Sequence, residues 1–309
     1  MDLSIVIINW NTRDMLRDCL NTVYDNLGSL RAEVFVVDNA SEDASQDMVA
    51  AEFPQVDLIC NTRNVGFAAA NNQALDVVKG KYALLLNSDT LVHGDVLQKS
   101  FEYMEARDEV GVMGCRVLNT DGSLQITGSS FPSLLNLTLM TTGLWKLKGV
   151  KFFDRYQMLG WDRTDEREID VVSGCYMFIR AKAMAEVGML DDSFFFYGEE
   201  TDWSRRFQQA GWKLMYAPVG VITHFGGGSV KKLNHKRDVM LTEGTVRLHR
   251  KHGGLIGGIA SWTLLVGFNL SRSIFWSLAS LSGSEKARER GLHFRKVIAA
   301  SSQTWPRAV

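Results

Sequence analysis

The stretch that decides the fold is residues 81–92, KYALLLNSDTLV. Residues 83–86 form an unbroken apolar run, which gives way abruptly to Asn87, Ser88 and Asp89. Such a run is typical of a strand that is buried on both faces of a parallel sheet. Open α/β sheets bind ligands at the carboxyl ends of their strands, where a carboxylate can hold a divalent cation. The alternative is that Ser88 and Asp89 cap a following helix.

Strand and helix patterns alternate along the first half of the chain. Residues with helical spacing lie between four apolar strand patterns, at residues 3–8, 33–38, 57–60 and 81–87. This alternation with short links predicts an α/β fold with a doubly wound, mostly parallel sheet and flanking helices. Further strands are expected near 110–114, within 169–188, and at 212–217, where Pro218 ends the strand. Residues 134–168 are expected to form an irregular insertion.

Bulk composition excludes several classes of protein. The 309 residues carry a formal net charge of −1, so the chain lacks the basic field that nucleic-acid binding requires. Its four cysteines lie far apart and form no C-x-x-C pair, which argues against a zinc site and a disulfide scaffold. A strand pattern begins at the first residues and leaves no room for a signal peptide. We therefore expect a cytoplasmic protein.

The C-terminal part has a different composition. Residues 253–271 contain no charged side chain, and basic residues lie on both sides of them. Nineteen uncharged residues barely span a bilayer, and five Gly and several Ser make the stretch weakly hydrophobic. We expect one or two helices at a membrane surface, with basic residues at lipid phosphates and four aromatic residues in lipid: Trp262, Phe268, Phe275 and Trp276. The alternative is a soluble helical hairpin that packs on the core or on a second subunit.

Polar residues at several strand ends suggest a nucleoside-diphosphate site. Trp10 and Asn11 follow the first strand, Asp38 ends the second, and Asp89 follows the fourth. Trp10 can stack on a base, Asp38 can accept hydrogen bonds from a base or ribose, and Arg63 can neutralise a phosphate. The first βα turn has neither G-x-G-x-x-G nor a P-loop, so a carboxylate-bound cation is the natural means of holding phosphates.

Three carboxylates precede a predicted amphipathic helix, namely Glu199, Glu200 and Asp202. They can complement the helix N-terminus, but three are more than capping needs. A carboxylate walled by the aromatic residues at 195–197 would have a raised pKa, which suits a general base. His224 is either a core histidine at a strand end or, if it lies near Asp89, a ligand of a cation.

Seven segments together resemble the family 2 glycosyltransferases of GT-A fold, and in particular their bacterial rhamnosyltransferase-type branch. The resemblance covers residues 3 to 230 in order. The segments are SIVIINWN, VVDNAS, NVGFAAANNQAL, LLLNSDT, SGCYMFIRA, DDSFFFYGEETDWSRRFQQAGW and HFGGGS. It implies a GT-A domain at residues 1–235, and the composition of the remaining chain predicts a C-terminal helical, membrane-associating segment at residues 236–309.

The resemblance also implies roles for individual residues. Asp89 matches the metal-binding aspartate of the family's D-x-D motif, Asn87 replaces its first aspartate, and His224 matches a histidine that helps to ligate Mn²⁺ or Mg²⁺. Glu199–Glu200 matches the family's E-D pair, so Glu200 would be the catalytic base, with Glu199 and Asp202 beside it. The implied donor-binding residues are Trp10, Asn11, Asp38, Arg63, Asn64, Gly66, Asn87 and Ser88.

The implied activity is inverting transfer of a sugar, with L-rhamnose one candidate, from a nucleoside-diphosphate donor to a hydroxyl group. The donor would be a dTDP-, UDP- or GDP-sugar, and the acceptor a surface polysaccharide or a lipid-linked glycan at the inner face of the plasma membrane. The alternative is a non-catalytic nucleotide-sugar-binding subunit of a membrane-associated assembly, motivated by Asn87 and Glu200 standing where the family has Asp. A sugar-phosphate nucleotidyltransferase is disfavoured, because the first strand is not followed by a glycine-rich basic loop.

Overall fold

The computed structural model describes residues 1–147, 151–226 and 234–307. The chain divides into two compact units, each assembled from separate segments. The first unit contains residues 1–131, 161–192 and 199–227, and the second contains residues 132–160, 193–198 and 228–309. The domain boundary that the sequence suggests near residue 235 stays a prediction.

The first unit is built around one sheet. Its strands are β1 (Leu3–Asn9), β2 (Ala32–Asp38), β3 (Asp57–Cys60), β4 (Tyr82–Asn87), β5 (Thr90–His93), β6 (Val110–Leu118), β7 (Arg167–Glu168), β8 (Tyr176–Arg180) and β9 (Lys213–His224). The α-helices within the described residues are α1 (Arg13–Asp25), α2 (Ser45–Glu52), α3 (Phe67–Leu75), α4 (Val96–Glu105), α5 (Leu134–Thr142), α6 (Lys151–Asp154), α7 (Ala181–Val187), α8 (Glu199–Gln209), α9 (His235–Ala279) and α10 (Glu285–Ala299).

The sheet has the strand order β3-β2-β1-β4-β8-β6-β9-β5, with β7 beside β9. Strands β3, β2, β1 and β4 are parallel, as the alternation of strands and helices predicts. From β4 onward the sheet is mixed, since β8 is antiparallel to both β4 and β6. All five residues of β8 are buried, so its apolar run does not reveal the strand direction.

The predicted strand end at Pro218 is wrong, because β9 continues through this proline to His224. Pro218 is tolerated because the pairing with β6 is irregular there: Gly114 pairs with Tyr216, and Arg116 already pairs with Val221. A bulge of this kind leaves backbone donors unpaired, which is where a strand accommodates proline.

The core of the first unit follows from the spacing of apolar residues. The buried residues of α1 recur at the interval of one helix face and join the apolar residues of β1 and β4 in one cluster: Leu16, Cys19, Leu20, Val23, Leu3, Ile5, Ile7, Leu84 and Leu86. The four cysteines are free thiols, and only Cys60 is exposed. The cluster anchors the strands whose carboxyl ends carry the candidate site.

The second unit contains α5, α6, α9 and α10. Helix α9 is interrupted at Gly254, whose φ of 66° and ψ of −168° are not helical. Thr242 and Val266, each twelve residues from Gly254, line the same small cavity. A Cβ atom at Gly257 would lie 2.6 Å from the His249 carbonyl oxygen. The chain therefore reverses at Gly254, and the arms 235–253 and 255–279 pack against each other.

Candidate active site

The turn after β4 brings Asp89 beside His224. Ser88 and Asp89 form a tight turn between β4 and β5, and the next helix begins only at Val96, so they do not cap a helix. Thr90 pairs with His224 at the end of β9. As a result, Asp89 Oδ1 lies 3.2 Å from His224 Nε2. His224 therefore lies close to Asp89, as a cation site shared by the two residues requires.

Gln125 fixes the orientation of the His224 ring. Its Oε1 lies 2.6 Å from His224 Nδ1, while its Nε2 donates to Asn119 Oδ1 and to the His224 carbonyl oxygen. An amide oxygen can only accept a hydrogen bond, so Nδ1 carries a proton, and when the ring is neutral this is its only one. Nε2 then presents its lone pair towards Asp89 Oδ1 and Asn87 Nδ2, the latter at 3.1 Å.

This donor set fits a divalent cation. When the His224 ring is neutral, Asp89 Oδ1 and His224 Nε2 both present lone pairs 3.2 Å apart, and a cation can bind between them; when the ring is protonated, the same two atoms form an ion pair. Adjacent ligands of an octahedral ion, each about 2.0–2.1 Å from it, are separated by about 3 Å. Within the described part of the chain, no three His, Cys, Asp or Glu side chains converge on one point. Asp89 and His224 would thus supply only two ligands.

At the end of β1, Trp10 is 57% exposed and offers an indole face to solvent. Asn11 has a positive φ of 55°, and its side-chain oxygen accepts from the backbone N–H of Glu42, which ties the β1 turn to the β2 turn. Thr12 Oγ1 lies 2.8 Å from Ser88 Oγ and links the β1 turn to the β4 turn. These bonds join the carboxyl ends of three strands.

Asp38 lies beneath this surface and is almost fully buried. Its Oδ1 accepts from Asn9 Nδ2 at 2.8 Å, and its Oδ2 accepts from the backbone N–H of Ser41 and from Gln46 Nε2. A carboxylate has about four acceptor positions, so Oδ1 retains one for a ligand. Much of the binding capacity of Asp38 is therefore already used in shaping the β2 turn.

The loop at residues 61–66 is held by Asn39, which the sequence does not single out. Asn39 Nδ2 donates to Asn64 Oδ1, and Asn39 Oδ1 accepts from the Val65 N–H. Asn64 Oδ1 also accepts from the N–H of Gly66, whose φ of 90° favours glycine. Arg63 is exposed at the tip of this loop. Two of the predicted donor-binding residues of this loop, Asn64 and Gly66, are thus joined by a hydrogen bond, with Arg63 beside them.

Glu199 and Glu200 occupy the first turn of α8. Glu199 is 4% exposed, and burial together with the neighbouring charge of Glu200 raises the pKa of Glu199 well above its ordinary value of 4.5. A side-chain hydrogen bond to Glu200 adds to this shift, because it requires the protonated form of Glu199. The pair therefore keeps one proton to a higher pH than an isolated glutamate does, because that proton removes the repulsion between the two carboxylates.

Glu200 lies on the same sheet edge as Asn87. A Cβ atom at Gly174 would be 4.0 Å from Glu200 Cβ, and the adjacent Cys175 carbonyl accepts from the Asn87 N–H at 3.2 Å. Because β8 is antiparallel to β4, its amino-terminal turn at 173–175 meets the carboxyl end of β4. The Glu199–Glu200 pair and the residues after β4 are therefore joined through this turn.

Asp202 has a different environment from the two glutamates. Its carboxylate is fully buried and forms an ion pair with Arg206 Nε at 2.9 Å, one helical turn away. The other nitrogens of Arg206 donate to the carbonyl oxygens of Val187 and Met189. These contacts anchor the first turn of α8, and a catalytic role for Asp202 stays a prediction.

Replacing Glu199 by Gln is expected to stabilise the protein at neutral pH. Above pH 4.5 the folded state keeps the Glu199 proton while the unfolded chain loses it, so the free energy of unfolding falls as the pH rises towards the raised pKa. Glutamine resembles the protonated carboxyl group and does not titrate, so the variant does not lose this part of the free energy of unfolding. The melting temperature of Glu199→Gln should be a few degrees higher than that of the wild type at neutral pH. Plotted against pH, the two melting temperatures should converge at about pH 4. Glu42→Gln, an exposed change, is the control, and equal melting temperatures at neutral pH would contradict the assignment.

Comparison with protein families identifies the chain. The family model described as glycosyl transferase family 2 matches residues 4–188, more than half of the sequence. The chain belongs to glycosyl transferase family 2. This membership confirms the family and the enzyme class that the sequence motifs predict. The glycine-rich loop of the last motif lies mostly outside the described residues, from residue 227 onward.

Individual relatives of this family 2 glycosyltransferase are distant. An N-acetylglucosaminyl-diphospho-decaprenol L-rhamnosyltransferase of Mycobacterium tuberculosis is 23% identical over 204 residues, which cover 62% of this chain and 66% of that protein. A low-salt glycan biosynthesis hexosyltransferase of Haloferax volcanii is 22% identical over 209 residues, covering 66% of this chain and 61% of that protein. The chain thus spans slightly less than two thirds of the length of these relatives.

Solved structures share the fold of this family 2 member. A mannosyltransferase from Pyrobaculum calidifontis in complex with GDP-Man and Mn²⁺ superposes with a TM-score of 0.57 at 14% identity, covering 99% of this chain and 88% of that one. GalNAc-T7 with UDP, GalNAc and Mn²⁺ gives 0.56 at 16% identity, covering 99% and 58%. At these identities the likeness shows the fold, and the predicted GT-A fold class is confirmed.

Proposed function

We propose that the protein is an inverting, metal-assisted glycosyltransferase that uses a nucleoside-diphosphate sugar. The observation that carries this proposal is the proximity of Asp89 Oδ1 to His224 Nε2, 3.2 Å apart, on the sheet edge that also holds Glu200. A cation site and an ionised carboxylate on one edge are the two groups that a single displacement at an anomeric carbon requires.

The donor nucleotide would bind across the ends of β1, β2 and β4. Exposed Trp10 supplies a stacking surface for the base, and Asp38 has one acceptor position left for the base or the ribose. Arg63 on the loop held by Asn39 supplies positive charge for a phosphate. The remaining donor-binding residues in this proposal are Asn11, Asn64, Gly66, Asn87 and Ser88.

In the reaction, Glu200 accepts the proton of the acceptor hydroxyl as its oxygen attacks the anomeric carbon. The bond from that carbon to the diphosphate oxygen breaks, and its electron pair leaves with the nucleoside diphosphate. One displacement inverts the anomeric configuration and needs no nucleophile on the protein. Glu199 keeps its own proton and donates a hydrogen bond to Glu200, which holds the base in place and ionised.

Asp89 and His224 would hold the cation. When bound, Mn²⁺ or Mg²⁺ supplies charge neutralisation for the leaving diphosphate, and the imidazole ligand slightly favours Mn²⁺. Gln125 keeps the proton of His224 on Nδ1, and Asn87 contacts the same ring nitrogen as Asp89. The presence of Mn²⁺ in the superposed mannosyltransferase and GalNAc-T7 structures supports this part of the proposal.

The acceptor in this proposal is a lipid-linked or growing surface glycan at the inner face of the plasma membrane. The names of the mycobacterial and haloarchaeal relatives, one an L-rhamnosyltransferase acting on a diphospho-decaprenol and one in glycan biosynthesis, support this class. L-rhamnose remains the first sugar to test. The proposal includes peripheral contact of the second unit with the membrane.

Donor hydrolysis tests the reaction class without knowledge of the acceptor. The purified chain is incubated with UDP-, GDP- and dTDP-sugars, including dTDP-L-rhamnose, in the presence of Mn²⁺, Mg²⁺ or EDTA, and released nucleoside diphosphate is measured. Metal-dependent turnover of one donor is expected. Donor binding without turnover, even with lipid extracts as acceptor, would favour the non-catalytic binding subunit. Absence of both turnover and metal-dependent nucleotide binding would overturn the proposal.

Gln125→Leu is expected to weaken Mn²⁺ binding by about 10–100-fold, the usual cost of losing a residue that orients a metal-ligating histidine. Leucine has similar bulk but cannot accept the Nδ1–H bond, so the His224 ring is free to rotate or change tautomer. Titration calorimetry with Mn²⁺ and a nucleoside diphosphate measures the affinity without turnover.

Two further variants make this measurement decisive. Gln125→Glu retains an acceptor for Nδ1–H but loses the donor to Asn119 Oδ1 and the His224 carbonyl, so it should bind Mn²⁺ more tightly than Gln125→Leu does. Gln98→Leu, a change on the partly exposed surface of α4, should leave the affinity unchanged. Unchanged affinity in Gln125→Leu would show that Gln125 does not position the histidine.

A further inference from the structure

The second arm of α9, residues 255–279, has its polarity reversed relative to a helix of a water-soluble bundle. Its fully buried residues are small or polar: Gly257, Gly258, Ser261, Asn269 and Ser273. Its exposed large residues are apolar and continue into the turn that follows. We call these residues the apolar stripe: Leu255, Ile256, Ile259, Leu270, Ile274, Phe275, Leu278 and Leu281.

Because its large apolar side chains face outward, the apolar stripe requires a partner surface that covers it. Small residues on the buried face allow the helices of the second unit to approach closely: a Cβ at Gly258 would lie 2.7 Å from the Pro306 ring, and one at Gly291 would lie 3.5 Å from Ser277. Soluble proteins bury their large apolar side chains and expose polar ones. Over 26 residue steps the stripe is about 39 Å long, and eight exposed large apolar side chains along one arm mark an interaction site.

Charge is distributed very unevenly along the chain. Residues 235–309 contain twelve Lys and Arg against four Asp and Glu, a formal charge of +8, whereas residues 1–234 carry −9. Some of these cations lie directly over aromatic rings of the second arm, with Arg272 over Phe268 and Arg290 over Trp276. The apolar stripe therefore belongs to the strongly basic part of a chain whose total charge is nearly zero.

The packing of α10 indicates whether the second arm of α9 spans a membrane or lies on its surface. The segment 235–282 contains an 18-residue window of mean hydropathy 1.4, only 22% buried, so its length and composition would allow a helix that crosses a membrane. However, α10 packs along the second arm, and it exposes six charged residues: Glu285, Lys286, Arg288, Glu289, Arg295 and Lys296. A spanning second arm would carry these charges into hydrocarbon, which is costly.

We propose that the apolar stripe inserts into the surface of an anionic phospholipid bilayer, with the second arm of α9 lying in the plane of the membrane. The basic residues of 235–309 contact lipid phosphates, which provide the opposite charge. Two copies of the same +8 segment placed face to face would repel each other, so charge complementarity favours lipid over a second copy of the chain. This inference names the surface that makes the membrane contact of the proposed function. It rests on the proposed glycosyl transfer only for the purpose of membrane binding, not for the binding itself.

Vesicle flotation of the full chain tests this surface without any donor or acceptor. Wild-type protein should float with vesicles of phosphatidylcholine and phosphatidylglycerol, bind much less to phosphatidylcholine alone, and lose binding as salt is raised. The double variant Ile274→Glu/Leu278→Glu changes two exposed side chains and should lower the partition coefficient at least tenfold. Val77→Glu, which alters an exposed valine of the first unit, is the matched control and should bind like the wild type.

Sedimentation velocity and thermal unfolding are measured on the same proteins. Equal melting temperatures would show that the double variant is folded. Failure of the wild type to bind anionic vesicles, or equal binding by the folded double variant, would overturn the proposal. So would a wild-type dimer that the double variant dissociates, because the stripe would then bind a second copy. Donor hydrolysis in solution is read separately, so loss of membrane binding and failure of the proposed reaction are distinguishable.

Discussion

Glu200→Gln is expected to lower the rate of sugar transfer by about 10²–10⁴-fold, the usual contribution of a general base. The amide keeps the size of the side chain and can still hydrogen-bond to Glu199, but it cannot accept the proton of the acceptor hydroxyl. Donor binding should be unchanged, because no part of the proposed nucleotide site involves this residue. The measurement is kcat for transfer or donor hydrolysis, together with the Kd for the nucleoside diphosphate.

Glu199→Gln is the matched control for this experiment. Glu199 is proposed to be protonated throughout the reaction, and a glutamine in its place still donates a hydrogen bond to Glu200. Its kcat should therefore stay within about tenfold of the wild type, since only charge-neutral interactions change. Equal loss of activity in the two variants would show that the two carboxyl groups act together as the general base. If Glu199→Gln alone were inactive, the roles of the two residues would be reversed.

Asp89→Asn is expected to lower kcat/KM by more than about 100-fold, because loss of a metal ligand should exceed the 10–100-fold cost of losing a residue that only orients a ligand. The amide preserves shape and hydrogen bonding at the β4 turn but removes the charge that attracts the cation. Mn²⁺ affinity in the presence of nucleoside diphosphate should fall in parallel, which titration calorimetry can measure independently of turnover.

Asp95→Asn gives the corresponding control. This exposed residue precedes α4, and asparagine is as good an N-cap residue as aspartate. It should leave both metal affinity and activity unchanged. If Asp89→Asn bound Mn²⁺ as tightly as the wild type, the cation would have to be held elsewhere and the Asp89–His224 pair would need another explanation.

The sequence predicts the part of the fold that local patterns determine. The parallel strands β1 to β4 follow from buried apolar runs and helical spacing, since each strand is connected to the next by one crossover. The position of Asp89 at the sheet edge follows from the same reasoning, as does the proximity of His224 that the motif resemblance suggests. The direction of β8 does not follow, because a strand buried on both faces has no alternation to reveal it.

Sequence patterns could not predict contacts between residues that are far apart in the chain. Gln125 is 99 residues from His224 and lies in a segment that the sequence identifies only as a loop. It reaches the ring because the Gln125 N–H bonds back to the Val117 carbonyl of β6, and β6 is the neighbour of β9. The raised pKa of Glu199 likewise depends on burial in the folded chain. A raised pKa was expected near 199–202, but which of the three carboxyl groups is buried could not be read from spacing.

The bulge around Pro218 has a consequence for how this chain can change in length. Three more residues of β9 than of β6 lie between the Gly114–Tyr216 and Arg116–Val221 pairs, and beyond them the register runs unbroken to His224. Alternate residues of a strand point to opposite faces, so deleting one residue from this bulge would turn His224 away from Asp89 unless the bulge re-forms. Natural insertions and deletions should therefore be excluded from residues 217–220. The number of residues in the bulge would then be under the same selection as the histidine itself.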